Sequence, residues 1–151
     1  SFMSLNTHLR RQHDHLVSLG HLLSEERGLL VQGSIDGPEL GAVAQRKAAL
    51  LETLDTFEGR RREALQRLGY DDTPQGDEQA AREAGCLPLW RAIQTRARAV
   101  AADNRVNGEL IELRAANNLR LLNALREKAG TPLYGPDGQP GPRGGRLSSS
   151  A

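Results

Sequence analysis

The stretch 88-PLWRAIQTRARAVAADNRVNGELIELRAANNLRLLNALREKAG-130 has proline only at its first position. Its apolar residues recur on a helical period. Trp90, Ile93, Ala97, Val100, Asn104, Asn107 and Ile111 follow one another at alternating steps of three and four. That spacing lines side chains along one face of an α-helix. Further on the stripe becomes leucine-dense: Leu110, Leu113, Asn117, Leu121 and Leu125, with Leu119 and Leu122 alongside. Pro88 suits a first helical turn, where its missing N–H breaks no hydrogen bond. The reading is a single helix over roughly 88–129, and the fold follows from what can pack against it.

Two further helices precede it. Leu5, Leu9, Gln12, Leu16, Leu19, Leu23, Glu26 and Leu30 make the same three-and-four stripe over roughly 4–32. The segment 33-GSIDGP-38 is turn chemistry, with Asp36 or Gly37 as cap and Pro38 in the next first turn. A second helix over roughly 38–68 carries Leu40, Val43, Lys47, Leu50, Leu54, Phe57, Arg61, Leu65 and Leu68, widened by Ala44, Leu51 and Ala64. Gly69 is placed to close it. A short turn makes the two helices antiparallel neighbours. Residues 69–87 read as a connector in which DEQAAREA has the composition for two helical turns closed by Gly85. The fold class is therefore all-α: an antiparallel bundle of three long helices with a flexible C-terminal tail. The domain reading is a helical domain over 1–130 and a Pro/Gly/Ser-rich tail over 131–151.

At ~1.5 Å per residue the first two helices come to roughly 45 Å each and the third to roughly 60 Å. Two shorter helices cannot cover all of a longer one. The leucine-dense end of the third, which runs into a tail with little to pack, is expected to stay uncovered. An uncovered apolar stripe marks an interaction surface. A partner helix, a second copy of the chain, or packing on helix one would each cover it. Asn104 and Asn107 occupy stripe positions, where a polar side chain fixes register at a cost in stability. Gly108 follows, and a mid-helix glycine suits a place where another backbone comes close. Asn117, Asn118 and Asn123 fit an exposed helix surface equally well.

Composition removes several functions. The formal charge is +1, unlike the strongly basic footprint of a dedicated nucleic-acid binder. The Arg60-Arg61-Arg62 run has Glu58 and Glu63 beside it and no interleaved aromatics for base stacking. His8, His13, His15 and His21 lack the i, i+3 or i, i+4 spacing of a metal pair, and read as solvated faces of the first helix. Cys86 is the only cysteine, so no internal disulfide forms. No phosphate loop or nucleophile elbow is present, so no enzyme and no cofactor is expected. No apolar run approaches the ~18 residues of a membrane span and no signal peptide is visible. Met3 is the expected native start, and a cytoplasmic protein without membrane insertion is the expectation.

The combination of 36-DGPELGAVAQRKAALLETLDTFEGRRR-62, then Asn104-x-x-Asn107-Gly108, then 132-PLYGPDGQ-139 and Arg143-Gly144-Gly145 resembles the FlgN family of flagellar type III export chaperones. The likeness runs from about residue 31 to about 146. It implies a cytosolic helical chaperone without ATPase activity, which binds the hook–filament junction proteins FlgK and FlgL, keeps them from aggregating and brings them to the export apparatus. The family's client site is assigned to the C-terminal helical region. Here that means Leu110, Leu113, Leu119, Leu121, Leu122 and Leu125, joined by Asn107 and Asn117 on the same stripe. The tail tyrosine of flagellar chaperones is implicated in contact with the export gate protein FlhA. Tyr134 matches it, with Leu133 and Gly135 beside it. The alternative is a self-associating coiled-coil protein, a homo-oligomer that buries the same leucines against its own copy.

Overall fold

The computed structural model describes residues 4–130. Four helices follow one another: α1 (Leu5–Leu30), α2 (Gly37–Arg67), α3 (Pro74–Glu83) and α4 (Leu87–Lys128). Among the described residues there is no strand. The three long helices lie where the periodicity places them. The difference is α3, a ten-residue helix in what reads from sequence as a connector with at most two helical turns.

The helix ends are set by local chemistry. Ser4, Asp36 and Thr73 cap α1, α2 and α3, each side-chain oxygen accepting from the backbone N–H three residues on, at 3.2, 3.0 and 3.1 Å. Pro38 and Pro74 stand in the first turns of α2 and α3. Gly69 (φ +89°) and Gly85 (φ +72°) take the left-handed conformation. There Tyr70 N–H reaches Leu65 C=O at 3.0 Å and Cys86 N–H reaches Ala81 C=O at 2.9 Å, the bonding that ends a helix on glycine.

The contacts of the chain cluster into two compact units that divide between Asn107 and Gly108. In the first unit α1 and α2 form an antiparallel hairpin. Glu26 meets Lys47 near the turn, and Gln12 meets Glu58 near the open end. The 87–107 part of α4 runs parallel to α1: Val100 packs near Gly20, and Asn107 bonds to Leu23. The core joins Leu9, Leu16, Leu19 and Leu23 of α1 to Ala81, Cys86, Trp90, Ile93 and Val100. The stripe of α1 is buried along its length apart from a half-buried Leu5. That of α2 is more open, with Ala44 and Leu68 exposed.

Two polar clusters hold this unit together, and both fall on stripe positions. Near the hairpin turn Glu26 is 2% exposed and Asn107 0%. Lys47 Nζ donates to both Glu26 oxygens (3.1 and 3.0 Å) and to Asn104 Oδ1 (3.1 Å). Asn107 Nδ2 donates to Leu23 C=O and to Glu26 Oε1, both at 2.9 Å, and Arg27 Nε donates to Asn107 Oδ1 at 3.4 Å. This cluster ties α1, α2 and α4 in one register.

At the other end Arg61 is 3% exposed. It grips Glu58 through two bonds of 2.8 and 2.7 Å, reaches Asp77 of α3 at 2.8 Å, and lies 4.4 Å from the centre of the Trp90 ring. Burial opposes charge on Arg61, but its bonds to Glu58 and Asp77 outweigh that and raise its pKa. Burial likewise pushes Glu58 up, and the Arg61 and Gln12 hydrogen bonds more than reverse it, holding the carboxyl below its ordinary range. Arg61 is thus an interior link from α2 to α3 and α4. The sequence reading weighs it as part of a solvated arginine run.

His8 also departs from the sequence reading. It is buried, with Nε2 2.9 Å from Phe57 C=O and its ring stacked on Phe57 at 4.8 Å. Burial lowers its pKa, only partly offset by the Phe57 carbonyl.

Candidate partner-binding surface

The second unit begins at Gly108, and its described part is the remainder of α4. Ile111, Leu113, Leu121, Leu122 and Leu125 are 42, 54, 59, 41 and 57% exposed. Large aliphatic side chains so exposed, and so close together in sequence, need a different explanation from isolated surface leucines. On a helix of 3.6 residues per turn, Leu110, Ile111, Leu121, Leu122 and Leu125 project within a sector of roughly 120°. Leu113 flanks it. Lys128 and Arg114 fall in the same sector, whereas Glu109, Glu112 and Glu127 fall outside it. The surface therefore mixes leucines with cations and Asn118, and carries no carboxylate.

The individual site residues separate. Leu113, Asn117, Leu121, Leu122 and Leu125 are exposed, while Leu110 and Leu119 are half-buried. Asn117 accepts a hydrogen bond from Arg120 one turn on. Asn118 is exposed and Asn123 buried. Asn107 does not join this surface: it lies fully inside the first unit, bonded to Leu23 and Glu26. The seam role given to it by its spacing holds, and its candidacy for contact with a partner is withdrawn. Nothing described lies within 4 Å of a Cβ built on Gly108, so no close backbone accounts for that glycine. Leu133, Tyr134 and Gly135 lie outside the described residues.

Among the described residues no group of three or more His, Cys, Asp or Glu side chains could hold a metal ion. No described helix is long and apolar enough to cross a membrane. The buried Cys86 has its thiol pKa pushed up by desolvation, the opposite of what a nucleophile requires.

Comparison with known proteins assigns the family. The model of the family described as FlgN protein matches residues 1–142. The flagella synthesis protein FlgN of Yersinia enterocolitica is 30% identical over 134 residues, covering 89% of this chain and 87% of the relative. That of Salmonella typhimurium is 30% identical over 126 residues, covering 82% and 81%. That of Escherichia coli is 27% identical over 124 residues, covering 82% and 80%. No solved structure matches. A match over nearly the whole chain, on an all-helical fold with an exposed leucine-rich helix end, shows that the chain belongs to the FlgN family.

Proposed function

We propose that this protein is a cytoplasmic flagellar export chaperone. It binds the hook–filament junction proteins FlgK and FlgL, keeps their aggregation-prone helical segments covered, and delivers them to the type III export apparatus. The observation that carries the reading is the exposed sector of Leu121, Leu122 and Leu125 on α4, in a family whose relatives are named flagella synthesis proteins. An amphipathic client helix laid along this sector buries its own apolar face by helix-in-groove packing. Leu110, Leu113 and Asn117 extend the contact toward Gly108. Leu133, Tyr134 and Gly135 form a second contact, with the gate protein FlhA. The chemistry is binding only and asks for no cofactor.

Backbone amide exchange, read by mass spectrometry with and without FlgK or FlgL, tests the site. The reading expects new protection concentrated in 110–128 and little change over 5–30. Protection confined to the first unit would overturn the assignment of the site. The same leucines also support self-association, so the exchange is run at chain concentrations where the free protein is monomeric.

A further inference from the structure

The first unit carries an apolar groove that the reading above leaves unused. Its volume is about 380 Å³, and Leu16 of α1, Leu51 and Leu54 of α2, and Ile93 and Ala97 of α4 line it. Leu51 is 42% exposed and Leu54 half-buried, so the groove opens to solvent. Its charged lining residues are Asp55 and Glu58, and no cation lines it. Glu58 is held by Arg61 and Gln12. Asp55 is exposed and makes no hydrogen bond or ion pair among the described residues.

The chain itself carries a surface of matching pattern. Leu121, Leu122 and Leu125 share their helix sector with Lys128, and no carboxylate of 108–128 falls in it. The Leu121–Lys128 face is about two helical turns long, as long as the groove's α2 wall from Leu51 to Glu58, and Asp55 lies within that wall. Apolar surface faces apolar surface, and a cation is placed for the one unpaired carboxylate.

We propose that a second copy of this chain docks its Leu121–Lys128 face in the α1/α2/α4 groove, with Lys128 beside Asp55. On the functional reading above, this self-docking covers the client leucines while no client is present. Client and second copy then exclude one another.

The test is sedimentation equilibrium of the full chain from low micromolar to several hundred micromolar. The expected result is a monomer–dimer equilibrium. Asp55→Arg and Lys128→Glu should each raise the dimer dissociation constant roughly two- to fivefold, as an exposed pair is worth. The double variant Asp55→Arg/Lys128→Glu should recover most of the loss. Asp55 is exposed, so its reversal leaves the fold intact, and the rescue excludes misfolding as the cause. A monomer at every concentration overturns the inference, as does a dimer that ignores both reversals. A monomer whose affinity for FlgK falls on Asp55→Arg would assign the groove to the client instead. Client titration at dilutions where dimer is absent keeps the two claims apart. Binding there with no dimer at higher concentration removes only the self-docking; a dimer without client binding removes only the chaperone reading.

Discussion

Replacing Lys47 with Met removes the cation paired with the buried Glu26 carboxylate. Glu26 is 2% exposed on its side chain and Lys47 18%, so water cannot take over the role of the ammonium. Asn107 Nδ2, at 2.9 Å from Glu26 Oε1, still donates to the carboxylate. Breaking a buried pair by removing one partner costs about 3–5 kcal/mol. The surviving amide bond and the partial exposure of Lys47 place the loss around and below the lower end of that range, at about 2–4 kcal/mol. Removing both charges is a different perturbation. In Glu26→Leu/Lys47→Met no ion is stranded, and Asn107 keeps its bond to Leu23 C=O at 2.9 Å. The double variant should therefore lose no more than about 1–2 kcal/mol, less than Lys47→Met alone. Urea unfolding followed by helical circular dichroism, with the variants compared at one slope, measures both values. A loss under about 1 kcal/mol for Lys47→Met, or a double loss equal to the sum of the two singles, would refute the claim that this cluster is a desolvated, coupled unit.

Other outcomes follow from the same structure. Burial lowers the pKa of His8 from 6.5; below that pH the unfolded chain binds a proton that the folded chain resists, so stability falls with pH. Arg60 and Arg61 reinforce that resistance and Glu58 works against it; His8→Gln should flatten the loss between about pH 7 and 5 in urea midpoints. Glu58, held below 4.5 by Arg61, contributes stability that is lost as pH falls through that lower range. Gly76→Ala places a Cβ 2.0 Å from Asp71 C=O, and should cost about 1–3 kcal/mol by forcing the chain apart before α3. Gly108→Ala meets no described atom within 4 Å; it should stabilise α4 by up to about 1 kcal/mol, raising the melting temperature.

The long helices were legible because each buries a stripe, and a stripe has a period. The polar residues standing on those stripes were equally informative. Gln12, Glu26, Lys47, Arg61 and Asn107 all sit at apolar spacing, and all five lie in or against the interior of the first unit. Their pairing could not be read, because opposite charges on two helices give no register until the helices are packed. Arg61 shows the hazard: its place on the α2 stripe marked it as inward, while the arginines on either side suggested a solvated face. His8 was missed for a related reason. It stands beside Leu9 on the rim of the α1 stripe, and its partner is a backbone carbonyl at Phe57 that sequence cannot display.

The short helix α3 was half visible. Its cap Thr73 and first-turn Pro74 are strong signals, but its buried face consists of Gly76, Ala80 and Ala81. Such small residues give a weak apolar pattern, although Asp71 approaches Gly76 closely and Ala81 joins the core. The leucine-rich end of α4 was expected from helix length alone, and its side chains are exposed. The expectation of a close backbone at Gly108 fails. The partners FlgK, FlgL and FlhA rest on family resemblance, since no residue pattern names a protein.

The central claim is that the exposed leucines of α4 are the client site, and calorimetric titration with FlgK and FlgL tests it most directly. Leu121 and Leu125 are 59 and 57% exposed, so docking can bury a little over half of each. At about 1.5–3 kcal/mol for a fully buried leucine, the two together contribute about 2–3.5 kcal/mol. Leu121→Glu/Leu125→Glu should then weaken binding roughly 30- to 300-fold while helix content and stability stay unchanged. Tight binding by the intact chain, lost in that variant, is the predicted result. Unchanged affinity in the variant, or no binding of either client by the intact chain, would contradict it.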